Sequence, residues 1–302
     1  MSQKNATRLT AADFDPEVLR LFHKYVHGQL DRRGFLDRAA RFATATGTTA
    51  AGLLAALSPN FAAAQKVSPT DARVKNEFVE FASPAGNGKG RALVARPAQA
   101  AGPLPVVLVI HENRGLNPHI EDIARRLALD NFIAVAPDGL FPQGGYPGDE
   151  DKARELWARL DQKKASEDFV AAANFARMVA GSNGKLGATG FCYGGGIVNL
   201  IATRVPELGA GVPFYGRPPP LDQVGKIKAE LLLNFAGDDP GTNGAWPPYE
   251  AALKAAGAKF EAHFYPGTQH GFNNDTTPRF DEAAAKLAWG RTLALFNRTL
   301  RT

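Results

Sequence analysis

Cysteine is nearly absent from this chain, with one residue in 302. A single thiol excludes an intramolecular disulfide framework and any cysteine-based zinc site. A long apolar run is missing too. The weakly apolar Ala/Thr/Gly/Leu stretch from about Ala43 to Leu57 is too short and too rich in Ala and Thr for a membrane span. There is no internal repeat, no low-complexity tract and no linker after residue 70. An excess of one charge is lacking as well, although the formal net charge is +5. Residues 1–64 hold eight Lys+Arg against five Asp+Glu, which leaves 27 against 25 in the remainder. The body is therefore close to neutral and carries no nucleic-acid footprint. What is present, 44% hydrophobic and 22% charged residues of both signs, fits a soluble surface around one large α/β core.

Residues 1–64 read as a leader and 65–302 as the working domain. Asp31-Arg32-Arg33-Gly34-Phe35-Leu36 places twin arginines ahead of the weakly apolar stretch. Ser58-Pro59 then breaks it, and Ala62-Ala63-Ala64 suits a small-residue cleavage site. The pattern resembles a twin-arginine (Tat) signal, so export to the periplasm through the Tat translocon is expected. The alternative is an amphipathic helical segment, Pro16 to Phe42, that stays attached, packs on the body and leaves the protein in the cytoplasm.

From about Asp71 strand and helix patterns alternate, as in a mostly parallel sheet with helices on both faces. Val74 to Phe81 and Arg91 to Ala95 read as an antiparallel hairpin around Gly86-Asn87-Gly88. Pro105 to Ile110 is continuously apolar, as a central strand buried on both faces must be. Further strands are expected at Phe132 to Ala136, Lys185 to Thr189, Gly209 to Tyr215, Glu230 to Ala236 and Lys259 to Tyr265. Helices are expected from Ile120 to Leu129, from Glu150 to Ala180 with a break near Lys163-Lys164, from Ile197, from Pro248 to Ala256, and from Asp281 to Leu300.

The lone cysteine stands in Gly190-Phe-Cys192-Tyr-Gly194, between a short buried strand and an apolar helix. This is the spacing of a nucleophile elbow, G-x-S-x-G, with sulfur for the serine oxygen, and it points to an α/β-hydrolase fold. The turn is strained, and the glycines two positions either side let strand and helix approach. A buried cysteine packing as a small hydrophobe is the alternative. A cysteine nucleophile needs a base and a carboxylate to orient it, in the order nucleophile, acid, histidine. Asp239, in the loop Gly237-Asp238-Asp239-Pro240, and His270, in Gln269-His270-Gly271, meet that order. Asp239 is preferred to its neighbour Asp238. Among the other histidines, His23 and His27 fall in the leader, His263 lies mid-strand, and His111 and His119 are out of chain order. After the central strand comes His111-Glu112-Asn113-Arg114-Gly115, where this fold places half of its oxyanion hole, the other donor being the Tyr193 N–H. Glu112 is expected either to partner a proton beside the thiol or to cap the helix near Pro118.

Gly-Phe-Cys192-Tyr-Gly-Gly, His-Glu112-Asn-Arg-Gly, Gly-x-Asp239 and His270-Gly-Phe together resemble the dienelactone hydrolase (carboxymethylenebutenolidase) family over about residues 75–300. The resemblance implies a Cys192/Asp239/His270 triad, with Glu112 holding the resting thiol and the N–H groups of Asn113 and Tyr193 in the oxyanion hole. It implies a hydrolase of lactones or small carboxylic esters that works through an acyl-thioester, with no cofactor or metal. A general carboxylesterase or thioesterase with the same triad and a non-catalytic binding protein are the alternatives. Family members hold a substrate carboxylate with arginines, one a few residues after the histidine. Here that region reads His270-Gly-Phe-Asn-Asn-Asp275, and the nearest arginine is Arg279. Arg114, Arg217 and Tyr146 are the candidates for substrate contact. The oligomeric state and the physiological substrate are not legible.

Overall fold

The computed structural model describes residues 8–45 and 47–302, so residues 1–7 and Thr46 of the expected leader lie outside the described residues. Four helices come first: α1 (Pro16–Val26), α2 (Arg32–Ala45), α3 (Ala50–Leu57) and α4 (Phe61–Ala64). The body then runs β1 (Val74–Ser83), β2 (Gly88–Pro97), β3 (Leu104–Ile110), α5 (Pro118–Leu129), β4 (Ile133–Pro137), α6 (Glu150–Ala158) and α7 (Gln162–Ala176). It continues with β5 (Ser182–Phe191), α8 (Tyr193–Arg204), β6 (Leu208–Phe214), β7 (Glu230–Asp238), α9 (Pro240–Asn243), α10 (Trp246–Ala255), β8 (Phe260–Gln269) and α11 (Glu282–Leu300).

The eight strands form one sheet in the order β1-β2-β4-β3-β5-β6-β7-β8. Only β1/β2 and β2/β4 pair antiparallel; β4, β3, β5, β6, β7 and β8 are parallel. Parallel strands must be covered on both faces, and two apolar clusters do this. One is built on Val106, Leu108, Ile110, Phe169 and Ile201, the other on Val107, Val109, Ile123, Phe214 and Phe296. This is the α/β-hydrolase architecture, with every parallel strand ending at the same edge. The helical break falls at residues 159–161 rather than at Lys163-Lys164. Arg159 caps the end of α6, and Asp161 starts α7, its carboxylate accepting the N–H groups of Lys163 and Lys164.

Residues 8–64 fold onto that edge as a cap. Asp15 caps α1 by accepting from Glu17 N–H, and Pro16 supplies a preset first turn. Val18, Leu21, Phe22 and Tyr25 then line one face, and Phe35, Ala39 and Ala43 recur every fourth residue on α2. These side chains and Leu53, Leu54 and Leu57 make a third apolar cluster. Polar contacts tie the cap to the body. Arg32 pairs with Asp151 at 2.8 Å, the Tyr25 hydroxyl donates to the same carboxylate, and Arg154 donates to the Tyr25 carbonyl at 3.1 Å. Arg8 donates to the Asp275 carbonyl at 2.6 Å, and Asn60 N–H to the Thr276 carbonyl at 2.8 Å. The first of the twin arginines is thus an ion-pair partner of the body. Among the described residues no helix is long and apolar enough to cross a membrane.

Candidate active site

Cys192 sits between the last residue of β5 and the first of α8 with φ 54° and ψ −112°. A residue with a side chain seldom holds positive φ, so the turn is strained, and it persists because its surroundings allow no other path. Its N–H donates to the Phe214 carbonyl at 3.0 Å. A Cβ at Gly190 would lie 2.3 Å from the Gly194 carbonyl oxygen, and one at Gly194 would lie 2.3 Å from that of Ile110. Both glycines are therefore required by contact. Gly194 in particular presses the start of α8 against the end of β3, which brings the loop carrying Glu112 and Asn113 beside the sulfur.

Asp239 ends β7 as the N-cap of α9, and His270 follows β8. Both are buried, and Nδ1 of His270 lies 2.6 Å from Oδ2 of Asp239. Asp238 points to solvent as an exposed residue. Burial opposes the Asp239 charge, but the hydrogen bond and charge of His270 and the Thr242 N–H hold the carboxyl below its usual range. The sulfur, a ring nitrogen of His270 and one of His27 all lie within 4.8 Å of one another. Nε2 of His270 is buried and has no other hydrogen-bond partner than the facing sulfur among the described residues. Burial by itself would raise the Cys192 thiol; the charge of His270 and hydrogen bonds shared with His27 and His270 overcome it and bring the thiol down to about 6. Conversely, burial disfavours the His270 cation, yet the facing sulfur and the Asp239 carboxylate push that ring up to about 10. The ring of Tyr215, at φ 38°, packs 4.8 Å from that of His270.

Two cavities meet at the thiol. One, of about 370 Å³, is lined by Glu112, Arg114, Tyr146 and Arg279 from the body and Phe22 and Tyr25 from the cap. The other, of about 560 Å³, runs past Tyr193 to Arg217 and Pro218. His27, Asn113, Cys192 and His270 border both. The structure therefore brings Arg114 and Tyr146 to one side of the sulfur and Arg217 to the other. Arg114 is engaged: it donates to the carbonyls of Val26 and Asn113 and lies 3.7 Å from Glu150, whose other oxygen accepts from the Tyr146 hydroxyl at 2.9 Å. Arg217 is exposed, and its carbonyl accepts from Asn199.

Glu112 lines the cavity at the thiol, and its Oε2 accepts from Asn274 Nδ2 at 3.0 Å. It is not the cap of α5, which is Asn117. The sulfur also has Nε2 of His27 at 3.6 Å. His23 and His27, which fall in the expected leader, thus stand at the site. Their rings stack at 4.2 Å, and each meets the His270 ring edge-on, at 5.4 and 4.9 Å. Burial and the neighbouring His27, His270 and Arg279 push His23 down to about 3, so it stays neutral. The signal in the sequence was the i, i+4 spacing of the two histidines on one face of α1. Arg279 was also passed over. It is buried in the first cavity, its guanidinium lies over Gly271, and its Nε and Nη1 have no hydrogen-bond partner among the described residues. The remaining histidines have other duties. His111 Nε2 accepts from Gly139 N–H, His119 faces Asp275, and His263 faces Glu261 on the surface.

Comparison with known proteins agrees with this architecture. Residues 91–300 match the model of the Dienelactone hydrolase family, and residues 6–43 match a separate model described as YqhI-like. A protein of Escherichia coli K12 named "Putative carboxymethylenebutenolidase" is 36% identical over 224 residues, covering 68% of this chain and 80% of that protein. A protein of the same name from Methylorubrum extorquens AM1 is 32% identical over 273 residues, 85% of this chain and 91% of its own length. A crystal structure from Klebsiella pneumoniae, described as a "Putative Dienelactone Hydrolase", superposes with a TM-score of 0.64 at 32% identity. It covers 74% of this chain and 99% of its own.

Proposed function

The chain belongs to the dienelactone hydrolase family and is a hydrolase of lactones or esters, and on that premise we propose that Cys192 is its nucleophile. The observation that carries this reading is the strained elbow itself. The sulfur stands within 4.8 Å of a ring nitrogen of a histidine whose Nδ1 is held by a buried carboxylate at 2.6 Å. The thiol loses its proton to imidazole, and the sulfur pair attacks the substrate carbonyl carbon. The tetrahedral oxyanion is received by the N–H groups of Tyr193 and Asn113. Its collapse breaks the carbon–oxygen bond, the leaving oxygen takes up the proton, and an acyl-thioester remains. His270, oriented by Asp239, then draws a proton from water, and the second collapse returns that proton to sulfur. No cofactor is required by these steps.

The substrate class follows from the first cavity. Arg279 offers two unpartnered nitrogen atoms in a buried place, which supports an anionic group, such as a carboxylate, on the substrate. Arg114 faces the same space with its charge partly matched by Glu150. A general carboxylesterase would use the same residues; a panel of carboxylate-bearing enol lactones against neutral esters separates the two. Mass spectrometry of the protein trapped with a slow ester tests the nucleophile: an acyl group on Cys192 supports it, and acylation elsewhere or not at all removes it.

We also infer that residues 8–64 remain attached in the working enzyme, because they wall the first cavity and share an apolar cluster of their own. Export by way of Arg32-Arg33 is the competing proposal. N-terminal sequencing of protein from cell fractions separates them: a terminus at Gln65 outside the cytoplasm supports cleavage, and one at Met1 supports retention.

A further inference from the structure

The proton transfers above leave His27, whose Nε2 lies 3.6 Å from the sulfur, without a role. We propose that His27, supplied by the cap, is a second catalytic residue that takes the Cys192 proton and passes it to the leaving oxygen, leaving His270 for the water step. The proposal rests on Cys192 being the nucleophile and divides the proton transfers between two rings.

Tautomers carry the argument. Nδ1 of His27 lies 2.9 Å from the His23 carbonyl, which can only accept, so Nδ1 bears the hydrogen. The bare Nε2 of the neutral ring then faces the sulfur, 3.6 Å away, within reach of its S–H. His270 is oriented by the same logic, with Nδ1 on Asp239, and a nitrogen of its ring also lies within 4.8 Å of the sulfur. Both imidazoles face the thiol, and the one from the cap makes the hydrogen bond to it at 3.6 Å.

The position of His27 is imposed by the body. Asn113 Nδ2 and Arg114 each donate to the Val26 carbonyl at 3.0 Å, fixing the end of α1 one residue before the ring. Stacking on His23 holds the ring plane. The ring also borders both cavities that meet at the sulfur, so it reaches either side of a bound ester. In the first half-reaction the S–H bond breaks, an N–H bond forms at Nε2 of His27, and the electron pair stays on sulfur. On collapse that N–H bond breaks and an O–H bond forms on the leaving group. In the second half an O–H bond of water breaks toward His270, and the same proton re-forms S–H as the carbon–sulfur bond breaks. The other titratable groups around the sulfur are His23 on α1, Glu112 after β3, Tyr215 after β6, Asp239 after β7, and His270 and Arg279 after β8.

Two variants test this in the full-length chain. His27→Asn keeps a donor for the His23 carbonyl but removes Nε2, and His27→Ala leaves room for free imidazole. Each is followed by iodoacetamide alkylation of Cys192 against pH, by ester turnover, and by thermal unfolding. We expect kcat to fall about 100-fold with KM little changed, the alkylation midpoint to rise by about one pH unit, and added imidazole to restore part of the activity of His27→Ala. If both variants alkylate with the wild-type pH profile and imidazole restores nothing, the ring is only a wall of the pocket and the proposal is overturned, whatever happens to Tm. Should wild-type Cys192 resist iodoacetamide throughout the neutral range while Cys192→Ala still turns over, the nucleophile reading itself fails.

Discussion

Nδ1 of His270 lies 2.6 Å from Oδ2 of Asp239, with both side chains buried and the opposite ring nitrogen facing the sulfur. The carboxylate thereby holds hydrogen on Nδ1 and leaves Nε2 as the nitrogen that exchanges the mobile proton. In Asp239→Asn the amide can present its NH2 to the ring and stabilise the wrong tautomer. Such a change leaves geometry intact and lowers kcat by about 10⁴-fold in a comparable triad. Steady-state kinetics, with circular dichroism showing an unchanged fold, checks it.

Cys192 is expected to alkylate as a thiolate well below the pH of an ordinary thiol. Burial raises its pKa, but the His270 charge and the hydrogen bonds shared with His27 and His270 outweigh that and bring it to about 6. The rate of iodoacetamide labelling should therefore stay high from alkaline pH down to about 6 and fall only below it. A midpoint near 8.5, the value for a free thiol, would show that no cation faces the sulfur.

Arg279→Ala should weaken handling of carboxylate-bearing substrates and leave neutral esters nearly unaffected. Losing one charge-assisted hydrogen bond costs about 1.5–3 kcal/mol, or roughly 10–100-fold in kcat/KM, expressed mainly through KM. Paired measurements on an acidic lactone and its methyl ester separate this from a general defect. An equal loss on both would assign Arg279 to packing against Phe22, over whose ring it sits at 5.3 Å.

Stability should fall on acidification through Asp275. Burial opposes its charge, but His119, Arg126 and Lys66 hold its carboxyl well below the usual carboxylate range. Because the folded pKa is depressed, this contribution is fully present above the unfolded value, about 3.9, and is lost as pH falls below it. Asp275→Asn should cost about 3 kcal/mol at neutral pH, since it strands cations in a largely buried place. Its stability should then vary less than that of the wild type between about pH 5 and pH 3. Urea unfolding at several pH values reads both effects.

Much of the frame was legible from order and spacing. An apolar run buried on both faces must be a central parallel strand, so Pro105 to Ile110 located the sheet. Gly190 and Gly194 are needed by a contact between neighbouring pieces of chain, so the elbow shows in five consecutive residues. Asp239 and His270 follow because each lies where a predicted strand ends, and every parallel strand ends at one edge. The helix break misplaced at Lys163-Lys164 shows the limit of local reading, since the capping carboxylate lies two residues earlier, at Asp161.

By itself, then, the sequence determined which segments are strands of a mostly parallel sheet, where the chain turns sharply, and which three side chains gather at that turn. Only the tertiary structure decided who else stands there. His27 reaches the sulfur from 165 residues away, Glu112 is drawn to Asn274 across 162, and Arg126 meets Asp275 across 149. No period or motif encodes such meetings, because they depend on how one helical unit docks on another. That docking is set by the summed shape of two apolar surfaces and a few buried polar contacts, such as those of Arg114 and Asn113 with the Val26 carbonyl.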